Sequence, residues 1–368
     1  MTKVFPRKGW FSLGKRFYGG ACSEQAHTSH TKQTMIRTFR RSFSILAAAF
    51  FAAISATAAD KPVSSHGGIT QVTLPATTTS ALAVPYAKSI PFDGNITSVS
   101  GATLGVSVTL TPGVLTNHSI HICSRRDPSA AGAYGRVVRI TGNTANTVDT
   151  DVNITPVVGD EFEIVENHTL ASLFGAFPST VSLLTGTLLS LSDVVFIENN
   201  GVFTGYWHKS GQGWRLQSDS SGSGASQNDV SIPFSKGVLV ARKGGGSKTV
   251  VIQGESVGDR FRPSTSGGNT THCLNNPFSF VTTLGTSGIG SFVTSSTLAS
   301  LSDVIYIESS GVFLGYWRKS NGNWYLESDS SGTGSTQNTV QVQPGKALLI
   351  KDRGAAVNGF AFPEPFNP

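Results

Sequence analysis

Two stretches of this chain are versions of one another. LSDVVFIENNGVFTGYWHKSGQGWRLQSDSSGSGASQNDV begins at Leu191, and LSDVIYIESSGVFLGYWRKSNGNWYLESDSSGTGSTQNTV begins at Leu301, a constant offset of 110 residues. Comparing Leu191–Arg242 with Leu301–Asp352, 27 of 52 positions are identical without a gap. Identity at that level marks a tandem duplication, so whatever one copy folds into, the other must fold into as well.

Each copy reads as antiparallel strands. Val194–Ile197 is a continuous apolar run, the pattern of a strand covered on both faces. Asn199-Asn200-Gly201 supplies a turn into a strand at Val202–Lys209. Ser210–Gly213 turns again into Trp214–Ser218. A polar loop follows, and Val238–Ala241 closes the unit. In the second copy Asn321-Gly322 occupies the hairpin position, a strong turn signal. No stretch holds a helical period, and 41 Gly, 16 Pro and a charged fraction of 14% suit short strands and turns.

The expected fold is all-β: an N-terminal β domain followed by two tandem duplicated, antiparallel, sandwich-like units. The N-terminal domain is placed at residues 59–167, with strands at Val106–Leu110, Arg136–Ile140 and Glu161–Val165. Unit 1 is placed at residues 168–255, with a short opening strand in PSTVSLLTG. Residues 256–289 read as a Gly/Ser/Thr/Asn-rich linker carrying the first strand of unit 2, and residues 290–368 as unit 2.

The charge is unevenly distributed. Nine of the 28 Lys/Arg but only one of the 22 Asp/Glu fall in residues 1–59, leaving 19 basic against 21 acidic residues in the remainder. A nucleic-acid binder should keep its basic patch in the folded part, so no nucleic-acid partner is expected. Residues 35–58 read as a cleaved Sec-type signal peptide: Arg37, Arg40 and Arg41, the apolar run Ile45–Ile54, then Ala56-Thr57-Ala58 as the exit. Residues 1–34 then read as a non-native upstream extension, with Met35 as the alternative start. The expected location is secreted, periplasmic or cell-surface, with no transmembrane segment in the mature chain. Export leaves two cysteines, Cys123 and Cys273, and an oxidising compartment suggests a disulfide between them. Two buried thiols are the alternative.

The duplicated aromatics define one candidate site. Tyr206 with His208, and Tyr316 with Arg318, can pair a flat ring with a polar group as a sugar platform does. Trp207, Trp214, Trp317 and Trp324 at strand period suit a core instead. The polar loops define another, through Asp219, Asn228 and Asp229 in the first copy and Asp329 and Asn338 in the second. Calcium is the one cofactor considered there, although Asx and Ser turns explain the loops as well. His118, His121, Cys123, His272 and Cys273 include metal-ligand types, but His118 and His121 alternate faces on a strand. No catalytic motif is present. The recurring carboxylates Asp193/Asp303 and Glu198/Glu308 point to opposite sides of their strands.

GRVVRITGNTANTVDTDV, VVGDEFEIVENHTLASLFG and the GVFTGYW…GW unit together resemble an uncharacterised, paralogue-rich family of exported β proteins of environmental Gram-negative bacteria. The resemblance covers most of Gly135–Gly354 and is most specific through Leu170–Phe174. It implies a secreted or surface β protein and no activity. The expected function is a non-enzymatic structural or adhesive role, with polysaccharide, surface proteins or self-association as partners. A carbohydrate-binding module with two duplicated sites is the alternative.

Overall fold

The computed structural model describes residues 67–123, 133–257, 261–276 and 280–354. The expected upstream extension and signal peptide lie outside these residues. The described chain is all-β and opens with β1 (Gly67–Leu74) and β2 (Thr79–Leu82).

Next comes a closed barrel of six strands: β3 (Ser89–Ser100), β4 (Thr103–Val106), β5 (His118–Ile122), β6 (Val137–Asn143), β7 (Thr147–Thr150) and β8 (Glu161–Glu166), in the order β3-β4-β7-β6-β5-β8. Closure depends on the long β3, which pairs with β8 along its first half and with β4 along its second. Register shifts at Ser89/Phe92 and Ile96/Ser98 bend it from one partner to the other. Alternate residues point inward, so Ile96, Leu104, Ile120, Val138, Ile140, Val148, Phe162 and Ile164 fill the interior. The strand expected at Val106–Leu110 instead ends at Val106. Leu110 leaves the sheet to donate its N–H to Ala145, just before a Pro-Gly turn.

The first repeat follows as β9 (His168–Thr169), α1 (Leu170–Phe174), β10 (Val194–Asn199), β11 (Val202–Lys209), β12 (Gly213–Leu216), β13 (Ser231–Ile232), β14 (Val238–Ala241) and β15 (Lys248–Glu255). The one-turn helix α1 is held by reciprocal capping between Thr169 and Ser172. The second repeat is β16 (Thr270–Leu274), β17 (Thr282–Thr283), β18 (Val304–Ser309), β19 (Val312–Arg318), β20 (Trp324–Leu326), β21 (Gln341–Val342) and β22 (Leu348–Asp352). PSTVSLLTG forms no strand; it runs irregularly, tied back by Ser182 N–H to Phe174 and by Leu184 N–H to the Asp193 carboxylate.

The two five-stranded sheets match strand for strand. One runs β12-β11-β10-β14-β2 and the other β20-β19-β18-β22-β16. β2 therefore stands to the first repeat as β16 stands to the second, with Leu82 opposite Val238 and Leu274 opposite Leu348. The first repeat thus begins ahead of residue 168, and the barrel is an insertion between its first strand and β9. The sequence carries a faint trace of this: Thr79-x-x-Leu82-x-x-Pro85-Tyr86 against Thr271-x-x-Leu274-x-x-Pro277-Phe278, offset by 192 rather than 110.

A local pseudo-two-fold interlocks the repeats. Gly237 N–H donates to Cys273 and Ala347 N–H to Ala81, while Ala83 N–H donates to Gly345 and Asn275 N–H to Ser235. Each opening strand is thereby bonded on its outer edge by the other repeat, which leaves neither edge open. Ala81, Ala83, Cys273 and Ala347 form the buried contact, flanked by Phe203, Leu239, Phe313 and Leu349. The opposite face of each sheet has a different cover. The β1–β15 ribbon packs Val72, Leu74, Val250 and Ile252 over Val195, Tyr206 and Trp214. Over Ile305, Tyr316 and Trp324 lie Val137 and Val165, from the outside of the barrel, with Phe234 and Phe261.

Candidate functional site

The structure corrects the aromatic platform. Tyr206 is 9% exposed and Tyr316 5%, and all four repeat tryptophans are buried. Each Tyr points to the covered face of its sheet, because β10 and β18 present Val195 and Ile305 directly opposite them. His208 is also buried, edge-on to Trp214 with ring centroids 5.5 Å apart, and neither ring nitrogen has a hydrogen-bond partner among the described residues. Burial pushes its pKa down, with the Arg215 charge adding to the effect. Arg318 stands at the same position of the second repeat and donates to the carbonyls of Gly290 and Gly322.

The polar loops bond to themselves. Asp219 accepts from Gly224 N–H at 2.8 Å, Ser223 N–H at 3.3 Å and the Ser221 hydroxyl at 2.9 Å. Asp329 repeats this with Gly334, Thr333 and Ser331. These bonds, chiefly those from Gly224 and Gly334, hold both carboxyls below the usual carboxylate range. Asn228 and Asn338 accept the N–H of Trp214 and Trp324 and so fasten each loop to its edge strand. Asp193 is buried against the Arg242 guanidinium at 2.6 Å. Cys273 is a free thiol in the inter-repeat contact, so the expected bridge to Cys123 is not formed. Cys123 lies at the end of β5, in the barrel wall. Among the described residues no three His, Cys, Asp or Glu side chains converge as metal ligands.

A concavity lies elsewhere. A cleft of about 610 Å³ opens where the barrel, the first repeat and the lead-in to β16 meet. Asn117, Arg139 and Asp151 line it from the barrel, Thr204, Tyr206 and Asp229 from the first repeat, and Ser264 and Ser266 from the lead-in. At its base Glu198, Lys236 and His272 converge. Glu198 Oε2 accepts from Lys236 Nζ at 2.6 Å, and Oε1 accepts from Gly201 N–H at 2.5 Å and from His272 Nδ1 at 3.1 Å. Burial alone would raise this carboxyl. The His272 bond, the Lys236 charge and bond and the Gly201 N–H outweigh it and hold the pKa down at about 2.

The second repeat reproduces only part of this. Glu308 accepts from Lys346 and from Gly311 N–H. Ser80 is the strand counterpart of His272, and its hydroxyl has no hydrogen-bond partner among the described residues. Lys236 and Lys346 recur at the repeat offset, a sequence signal that could have placed them beside the glutamates. The His272 pairing has no such signal, since it joins residues 74 positions apart.

His272 Nε2 lies 3.2 Å from the Ser266 hydroxyl, so carboxylate, imidazole and hydroxyl stand in the order of a proton relay. The same Nε2 accepts Ser266 N–H at 3.2 Å and lies 2.8 Å from Thr270 Oγ1, which fixes the proton on Nδ1. Its lone pair is therefore already engaged by the backbone, and the ring is 1% exposed. The arrangement ties the β16 lead-in to the first repeat. Comparison with protein-family models, curated proteins and solved structures finds no match for this chain.

Proposed function

We propose that this is an exported, non-enzymatic β protein with a structural or adhesive role at the cell surface or outside the cell. The observation that carries this reading is where the duplicated polar side chains go. Asp219/Asp329, Asn228/Asn338, Glu198/Glu308 and Lys236/Lys346 all bond within the chain, holding loops, hairpins and the inter-repeat contact. Duplication has thus repeated a scaffold rather than a pair of reactive sites. The resemblance to exported paralogues agrees with it, as does a signal-like segment at residues 35–58.

A second reading keeps a carbohydrate ligand but moves it from a surface platform to the cleft. It is favoured by the lining: Asp151, Asp229, Arg139 and Asn117, groups that bond hydroxyls, line the same cleft as Tyr206. Asn117, Arg139 and Asp151 come from the barrel, which is not duplicated, so this reading has one site rather than two.

Arrays of polysaccharides and matrix proteins probed with the purified protein separate these readings. The structural reading expects retention on a polymer or protein surface without release of soluble products. Product release, or covalent labelling of Ser266 by a fluorophosphonate, would overturn the non-enzymatic assignment. Selective glycan binding that Asp229→Ala abolishes would put the cleft reading first.

A further inference from the structure

The two repeats separate scaffold from site at the end of the polar loop. Asn228 and Asn338 hold the same place and make the same bond, but the next residue is Asp229 in one copy and Thr339 in the other. Asp229 is exposed at the cleft, and among the described residues nothing bonds its carboxylate. On the barrel side of the same cleft, Asp151 accepts the Arg139 N–H at 3.2 Å. Asn117 donates its amide N–H to the Asn167 carbonyl at 3.1 Å, which fixes the amide and leaves Oδ1 as an acceptor. That oxygen, and the Ser231 hydroxyl across from the barrel segment in sequence, have no hydrogen-bond partner among the described residues. What this lining lacks is donors.

The charges lead to the same conclusion. Lys236 is paired with Glu198, so the fixed charges left at the cleft are Arg139 against Asp151 and Asp229. Burial raises the Asp151 pKa against the opposing effects of the Arg139 N–H and charge and of the Lys236 charge. An anion brought alongside would add like-charge repulsion to that. A polyanion offers acceptors where acceptors already abound, and an ammonium cannot accept from Arg139. A hydroxyl does both, donating to the carboxylates and to Asn117 Oδ1 while accepting from the guanidinium. We propose that the cleft takes a neutral saccharide through its hydroxyls, with Asp229 and Asp151 as acceptors, and rejects polyanionic ones. This rests on the cleft reading above and adds to it the charge class of the ligand.

An array of neutral, uronate and amino glycans matched in length, probed with the purified full chain and followed by calorimetry on the binders, tests this. Neutral glycans are expected to bind, and uronates of the same length to bind about tenfold more weakly or worse, a gap that narrows as salt is added. Asp229→Asn keeps an acceptor oxygen and removes the charge. It is expected to hold neutral binding within about threefold and to narrow the uronate gap several-fold. Uronates binding as tightly as neutral glycans, amino glycans binding more tightly than neutral ones, or a gap unchanged in Asp229→Asn would overturn the charge assignment and leave the cleft reading in place. No glycan of any class bound, or binding unaffected by Asp229→Ala, would overturn both.

Discussion

Glu198 and Glu308 hold the same place in the two repeats, and each is bonded by a lysine 38 positions later and by its own hairpin N–H. Removing the lysine strands a buried carboxylate. Lys236→Met is therefore expected to cost about 3–5 kcal/mol in denaturant unfolding. His272→Ser copies the second repeat at this point and is expected to cost less than half as much. Gly237 is constrained by space: a Cβ there would lie 2.3 Å from the Ala347 Cβ across the pseudo-two-fold, and 3.1 Å from Cys273 Sγ. Gly237→Ala is expected to lower stability by about 1–3 kcal/mol by overpacking. Three histidines contribute to the response to acid. His208 and His118 have lowered pKa values, and His168 is brought down to about 4, in each case mainly by burial. The unfolded chain protonates these groups near pH 6.5, whereas the native one resists. Stability is thus full above about 6.5 and is lost as pH falls toward 4, by roughly 2–3 kcal/mol from His168 alone. Unfolding midpoints measured from pH 7.5 to 4 should show that decline, and His168→Gln should flatten it.

At the level of elements, the hairpins and their loops are self-sufficient. β10 and β11 are joined at Asn200-Gly201, both with positive φ, and β18 and β19 at Ser310-Gly311 in the same conformation. Those paired positive φ values are what a tight hairpin requires, and Asn-Gly meets them with the least strain. The Asp219 and Asp329 loops are closed by bonds spanning two to five residues. Asp219→Ala is accordingly expected to raise hydrogen exchange at residues 220–224 and to leave the global unfolding midpoint unchanged. A shift in the midpoint would show that the loop supports more than itself.

The whole molecule is organised by shared cores. The barrel contributes Val137 and Val165 to the core of the second repeat, and each repeat bonds the opening strand of the other. Residues 64–368 accordingly cluster as one unit. No helix among the described residues is long and apolar enough to cross a membrane. The barrel is not expected to unfold apart from the repeats. Tryptophan fluorescence, which reports on the repeats, and thiol reactivity at Cys123, which reports on the barrel wall, should give coincident transitions in urea. Two separated transitions would show that the barrel is an independent domain.

The features legible in the sequence are those made by residues close together in the chain. The 110-residue duplication, the strands Val202–Lys209 and Val238–Ala241, the turn at Asn200-Gly201 and the Asx-bonded loops depend on local periodicity, backbone preference and hydrogen bonds of short span. The burial of Tyr206 and Tyr316 follows from what covers the sheets, the β1–β15 ribbon in one repeat and the outer wall of the barrel in the other. No local pattern encodes that choice. The same holds for β2 taking the place of β16, with a whole barrel inserted after it, and for His272 reaching Glu198 from the other repeat. A strand carries its own alternation of faces, but what lies against each face is decided only when distant segments compete to bury it.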